Sequence, residues 1–341
     1  MKMAIRGVGA IGGFGVGISD LEEFLKDRDL LSNKNFPCQL NHHHSPSIFS
    51  AKTEKLETFI PKKRLRRMDH FSKMALLAAF SAMQDAGASI PLGYDTGIIL
   101  ASGYGSTRST FSFLDSVIDH GDRCGSPTHF SNSVHNSAAA NISIVMQGVG
   151  PNTTVSQFEM SLPAAFALAR IWLAEDRVTS VLIGGADEHS PVLEYSWSRF
   201  FSQHPSLLNQ SLDAGRRKFS IGEGAVFFLL SKPDRNPSPY GFIESIQMGN
   251  LNREAIAFPG NTVIIIDTDN CATHPRYYRE IIPRELPVQS YTSIFGSSPV
   301  GMSFDMAVAC LILKKNISES VCCLKITRQK EYGFISMTRY S

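Results

Sequence analysis

Four features of the sequence could carry chemistry. Gly7-Val8-Gly9-Ala10-Ile11-Gly12 fits the spacing of a dinucleotide-binding turn, in which glycines open a helix onto a pyrophosphate. The glycines run on to Gly17, however, and the next helical pattern begins only near Asp20, so a close-packed strand-to-helix turn is the better reading. His42-His43-His44 could suggest a metal, but neighbouring side chains diverge and no i, i+4 histidine pair accompanies them; a solvated loop and no metal are expected. Cys38, Cys124, Cys271, Cys310, Cys322 and Cys323 form no C-x-x-C spacing, which argues against both a zinc site and a disulfide framework. Lys62-Lys63-Arg64-Leu65-Arg66-Arg67 is a basic run that reads first as solvated surface and second as a landing site for an acidic protein. No G-x-S-x-G occurs, and no cysteine precedes a buried helix with a matching histidine. These residues alone define no intact catalytic set and call for no cofactor.

The elements that position these residues follow from periodicity. A strand is expected at Met3 to Gly7, then a turn, then a helix over Asp20 to Lys26 with Ser19 and Glu22 as a capping box. Residues 33 to 60 read as loop. Asp69 to Ala86 is an amphipathic helix with Phe71, Met74, Ala75, Ala78 and Ala82 on one stripe, capped by Asp69 and stopped by Gly87. Thr96 to Ala101 and Val178 to Gly184 are nearly all apolar, as strands covered on both faces are. Ser161 to Ala174 and Ser303 to Leu313 are apolar almost all round and must be central helices; Pro163 places the first one's start near Glu159 to Ser161. Further strands are expected at VFFLLS, Gly241 to Ser245, Val263 to Ile266, Val321 to Ile326 and Gly333 to Thr338. This alternation implies α/β architecture. At 341 residues and net charge +2, the chain is long enough for a large core and too near neutrality to imply nucleic acid. No run of about 18 apolar residues occurs, so no membrane span is expected. The glycine-rich N-terminus lacks a signal-peptide core, and a cytoplasmic location is expected.

Six segments in order resemble the β-ketoacyl synthases of the thiolase superfamily: RRMDHFSKMALLAAFSAMQDAG at 66–87, TGIILASGYGS at 96–106, the stretch 126–155, VTSVLIGGADE at 178–188, FSIGEGAVFFLLSK at 219–232, and 290–315. The resemblance implies a five-layered αβαβα sandwich of two similar halves, usually dimeric. Residues 1–230 would form the N-terminal half with additions, and residues 231–341 a shortened C-terminal half, trimmed where Gln247 to Asn261 replaces a longer helical region. The family carries a cysteine in T-V-D-T-A-C-S-S at the start of the central helix, where the helix dipole favours a thiolate. Aligned there, Thr154-Val155-Ser156-Gln157-Phe158-Glu159 places Glu159 at the cysteine. Asp269 falls near the first family histidine, Ser297 takes the second, and Thr292 takes the lysine.

Coordinated loss of nucleophile and donors resembles a chain length factor, the cysteine-less subunit that pairs with an active ketosynthase and bounds its acyl tunnel. The glutamate and the short second half resemble the aryl polyene type. By this resemblance the partners are an active ketosynthase, in a heterodimer, and an acyl carrier protein. Tunnel or interface candidates are Phe111, Phe113, Leu114, Ile118, His129, Phe130, Val134 and His135, each with ordinary core or interface packing as the alternative. Carrier docking falls to Lys62, Lys63, Arg64, Arg66 and Arg67. Two other roles stay open: a malonyl-carrier decarboxylase using Glu159, and a stand-alone homodimer that binds acyl chains or carrier protein.

Overall fold

The computed structural model describes residues 1–27, 30, 50–204, 221–235, 238–268 and 275–340. In chain order the elements are β1 (Met3–Gly12), β2 (Gly15–Val16), α1 (Ile18–Lys26), α2 (Lys62–Leu65), α3 (His70–Asp85), β3 (Thr96–Ala101), α4 (Thr107–His120), α5 (Pro127–Ser133), α6 (Ser137–Met146) and β4 (Asn152–Val155). They continue as α7 (Ser161–Ala174), β5 (Ser180–Asp187), α8 (Pro191–Gln203), β6 (Gly224–Ser231), β7 (Phe242–Asn250), β8 (Val263–Asp267), α9 (Pro275–Ile281), β9 (Val288–Gln289), α10 (Thr292–Phe295), α11 (Met302–Lys314), β10 (Ser320–Ile326) and β11 (Glu331–Thr338).

The strand order is β4-β3-β5-β6-β1-β7-β11-β10-β8-β9, with β2 paired to β1. It contains one pattern twice. In the first run β3 is parallel to β4 and β5, while β6 is antiparallel to both β5 and β1. In the second, β8 is parallel to β9 and β10, while β11 is antiparallel to both β10 and β7. The runs join through a short antiparallel contact in which Met3 faces Ile243 and Ala4 faces Phe242.

Three apolar clusters define the layers. α7 and α11 share the central cluster with strands of both runs, and every residue of α11 from Met302 to Leu313 is buried. α3 and α6 cover the outer face of the first run, and a smaller cluster with Tyr278 and Ile282 beside α9 covers the second. Helix, sheet, helix, sheet, helix is therefore the order of layers, because each helix apolar all round needs a sheet on either side. β7 ends at Asn250, and residues 251–261 cross to β8 without a helix, so α3 has no counterpart in the second run.

Two expectations are corrected. Gly7, Gly9 and Gly12 lie inside β1, which continues to Gly12, rather than in a turn. A Cβ on Gly9 would sit 2.1 Å from the Ala78 carbonyl oxygen, and one on Gly7 2.4 Å from that of Ala82. The glycines let α3 lie directly on the strand. The capping box also fails: α1 starts at Ile18 after Gly17, whose φ of 101° turns the chain, and no side chain caps it. Asp69 does cap α3, its Oδ1 accepting from the Ser72 backbone N–H at 3.1 Å. The expected strand at Val178 begins at Ser180 and runs on to Asp187, and that at Gly241 begins at Phe242 and runs to Asn250. The triple histidine, Cys38, Cys271 and Asp269 lie outside the described residues.

Candidate functional site

The site begins where edge strand β4 ends. A three-residue turn, Phe158–Met160, leads into the central helix α7, and Glu159 sits half-buried in it. Phe158 has φ of 50°, a left-handed conformation that a bulky residue adopts only under constraint. Ser161 supplies that constraint: its hydroxyl lies 2.6 Å from the Phe158 carbonyl and 3.2 Å from that of Ser102, and accepts from the Gln157 N–H at 2.8 Å. Met160 and Pro163 brace the turn against Gly333 on β11.

Asp187, buried at the end of β5, gathers the surrounding loops. Its Oδ1 accepts from the Ser102 hydroxyl at 2.8 Å and from the N–H groups of Gly103 and Tyr104 at 3.1 and 2.8 Å. Its Oδ2 accepts from the Ser298 hydroxyl at 3.1 Å and the Val300 N–H at 3.3 Å. Burial raises this carboxyl above its usual range, and the donors from Tyr104, Ser102, Ser298 and Gly103 oppose the rise. Gly103 is pinched between Pro299 and the Phe158 carbonyl, so the turn after β3, the Glu159 turn and the 297–300 loop meet at one place. Tyr104 completes the wall. Its ring lies edge-on to Phe158 at 5.6 Å, and its hydroxyl oxygen accepts from the Trp197 indole N–H at 3.2 Å. Burial raises the Tyr104 hydroxyl strongly, and the charges of Asp187 and Glu159 add to the rise.

The other aligned positions lie around this junction. Ser297 is buried, and its carbonyl accepts from the Gly222 N–H at 2.9 Å. Thr292 opens α10, and its Oγ1 accepts from the Thr268 N–H at 3.1 Å, next to the undescribed Asp269. A lysine does stand here, but from another strand. Lys325 on β10 is 1% exposed, with Nζ 2.7 Å from Asp267 Oδ2 and 3.4 Å from the Ser298 carbonyl. Asp305, buried in the first turn of α11, is raised by burial and by repulsion from Asp267, against the pull of Lys325. One ammonium faces Asp267 directly, so the rise at Asp305 outweighs its pull. The sequence does carry a signal for Lys325: it is the single charged residue in the apolar run VCCLKI.

Behind the 102–105 turn lies a second polar cluster. Glu223 accepts from the Ala51 and His189 N–H groups at 2.9 and 3.1 Å and meets His70 at 3.1 Å and Arg108 at 3.3 Å. Burial would raise its carboxyl, but His70 and these N–H donors hold it down at about 2. Glu188 is the opposite case. It accepts from the Arg108 N–H at 2.8 Å, its other oxygen is buried without a partner, and burial lifts it to about 7.

The eight tunnel or interface candidates lie on one helical hairpin and its continuation. Within α4 only Ser109 is buried, and within α5 no residue is. Phe111, Leu114, Ile118, Phe130 and Val134 are exposed, as are His129 and His135, and half-buried Phe113 packs on Phe130 at 5.3 Å. The His135 ring rests against Gly105. These side chains are not core. Lys62, Lys63, Arg64, Arg66 and Arg67 are all exposed around buried Leu65, and Asn132 ties them to the hairpin by donating to the Arg67 carbonyl at 2.8 Å. Among the described thiols, Cys124 is exposed after α4, while burial raises Cys310, Cys322 and Cys323.

Residues 39–215, just over half of the chain, match the model of the β-ketoacyl synthase N-terminal domain. The chain belongs to the β-ketoacyl synthase family. Among curated relatives, it is 28% identical over 188 residues to 3-oxoacyl-[acyl-carrier-protein] synthase 2 of Staphylococcus aureus, covering 51% of this chain and 45% of that one. The Vibrio cholerae protein of the same name is 24% identical over 184 residues, covering 52% and 44%. The matched region thus spans less than half of these relatives' length. In fold it is similar to the ishigamide ketosynthase/chain length factor, with TM-score 0.76, 17% identity and full coverage of both chains. It is also similar to a type II PKS ketosynthase solved with its acyl-carrier protein, with TM-score 0.72, 14% identity and 99% coverage of both. No described helix is long and apolar enough to cross a membrane.

Proposed function

We propose that this chain is a non-condensing ketosynthase-like subunit, a chain length factor, that pairs with a cysteine-bearing ketosynthase and bounds the tunnel holding its growing acyl chain. The observation that carries this reading is Glu159 in the turn that opens the buried central helix. A carboxylate there can be held by the helix amides and dipole, but it does not exchange thioesters as a thiolate does. Decarboxylative condensation also needs donors for a developing enolate. Ser297, which the resemblance aligns with the late family histidine, has its carbonyl engaged by Gly222, and Asp267, Lys325 and Asp305 supply charge nearby.

Pairing is supported by the exposed apolar face of α4 and α5, which is costly to leave in water. The basic group from Lys62 to Arg67 beside that face suits an acidic carrier protein. Two similar structures point the same way: one is described as a ketosynthase/chain length factor and the other as a ketosynthase with its acyl-carrier protein. The glutamate and the missing counterpart of α3 support the finer assignment to the aryl polyene type.

The test is to co-express the full chain with a cysteine-bearing ketosynthase and supply malonyl-carrier substrate. Product should require both subunits, and Glu159→Ala should leave condensation intact. Condensation by this chain alone would overturn the reading. Carbon dioxide release that depends on Glu159 would make it a malonyl-carrier decarboxylase instead. A soluble homodimer that binds acyl chains and ignores the ketosynthase would make it a stand-alone binder.

A further inference from the structure

Glu188 follows β5 and is fully buried, with one oxygen engaged and one idle. Oε1 accepts the Arg108 N–H in the first turn of α4, while Oε2 has no hydrogen-bond partner. The Ser72 hydroxyl of α3 and the Thr107 hydroxyl of α4 are buried without partners too, so neither serves that oxygen. The charged groups around it come from every neighbouring element. Asp69, ahead of α3, repels a charge on Glu188, while Arg108 and His70 attract one. Both attracting groups are engaged elsewhere: His70 meets Glu223 at 3.1 Å, and Arg108 reaches Glu223 at 3.3 Å and the His189 carbonyl at 2.6 Å. Asp187 turns to Ser102 and Ser298, and the His189 ring lies 3.5 Å from Glu194. A charge on Glu188 therefore sits buried beside a carboxyl with its second oxygen unserved, which is costly.

What rests on this carboxyl is the α4–α5 hairpin. The hairpin holds itself together: Thr110 Oγ1 donates to the Ser133 carbonyl at 3.3 Å, the Ser126 N–H donates to Ser116 Oγ at 3.1 Å, and Phe113 packs on Phe130. It shares little core with the body, since only Ser109 is buried in α4 and no residue is in α5. Outside the hairpin α4 packs mainly on α8, itself a surface helix. The ties to the body are polar: Arg108 to Glu188 and Glu223, the Ser109 hydroxyl to Asp69 at 3.4 Å, and Asn132 to the Arg67 carbonyl at 2.8 Å. Elements with few buried apolar contacts open at the lowest free energy. Lifting the first turn of α4 gives Glu188 Oε2 water without unfolding the sheet.

We propose that Glu188 is a proton-operated latch for the α4–α5 hairpin: the neutral carboxyl holds the first turn of α4 down, and the charged carboxylate drives it open to reach water. The latch sets how firmly the face bearing Phe111, Ile118 and Phe130 is presented, whatever partner that face meets. Burial, with repulsion from Asp69, places the closed Glu188 carboxyl at about 7, and opening returns it to the ordinary 4.5. Opening therefore gains as pH rises from 4.5 to 7 and levels off above. The test is amide deuterium exchange of the full chain at pH 5 and pH 8, each rate divided by its intrinsic value. Residues 107–133 should exchange about fiftyfold faster at pH 8, and far ahead of β3 and β5 at both pH values. Glu188→Gln should remove the rise and keep the hairpin protected throughout. Asp69→Asn, which retains a cap for α3, should shrink the rise by removing the facing charge. A flat wild type, a rise that survives Glu188→Gln, or a hairpin that exchanges only together with β3 and β5 would each overturn the latch.

Discussion

Glu188 and Glu223 give stability opposite dependences on pH. Glu223 sits at about 2 in the folded chain, below the ordinary 4.5, so its contribution is full above 4.5 and fades as pH falls toward 2. Glu188 sits at about 7, so the folded chain retains a proton that the unfolded chain releases from about 4.5 upward. Its effect is a loss of stability as pH rises from 4.5 to 7, worth about 3 kcal/mol for that shift. Denaturant midpoints measured at pH 5 and pH 8 should therefore drop in the wild type, and Glu188→Gln should flatten the drop. The Lys325 group makes a second residue-scale prediction. Asp305→Asn removes a carboxyl that burial and Asp267 both disfavour as a charge, and it should be tolerated. Lys325→Met removes the ammonium that faces the buried Asp267 carboxylate and should cost roughly 3–5 kcal/mol in urea unfolding.

Elements were legible wherever apolar pattern alone decides them. Thr96–Ala101 and Ser161–Ala174 emerge at the expected bounds because a buried parallel strand and a central helix have no polar face to blur. The glycine-rich start of the chain reads wrongly because glycine weakens strand propensity locally, while the reason for glycine is α3, some seventy residues away. Gly9→Ala tests this. Its Cβ would meet the backbone of Ala78 and Ala82, which no rotamer change can move aside, so a loss of roughly 2–3 kcal/mol or failure to fold is expected by thermal denaturation. The site was legible only in part. The Glu159 turn follows from Pro163 and the helix behind it. Lys325 and the Asp187 junction depend on strands and loops that meet only in three dimensions. α4 and α5 show what pattern leaves open: Phe111, Ile118 and Phe130, read as tunnel or interface candidates with core packing as the alternative, lie on the surface.

At the scale of the whole molecule, the two runs of strands share one connection order but not one degree of cover. α3 and α6 bury a broad apolar layer over β3, β5 and β6, including Phe71, Leu77 and Ile142, at roughly 2 kcal/mol for each large side chain. The matching face of β8 and β10 has the smaller cluster around Tyr278, Phe334 and Leu324, flanked by the helix-free crossing at 251–261. Local opening tracks the apolar contacts that must be broken. In deuterium exchange, amides of β8 and β9 should therefore label well before those of β3 and β5, with β1 and β7 as the boundary between fast and slow. A ligand or partner that tightens the late-labelling part alone would leave that ordering intact. One that grips the 297–301 loop would slow β8 through Asp267 and Lys325, making the amide clock of a distant strand a reporter of occupancy at the Glu159 turn.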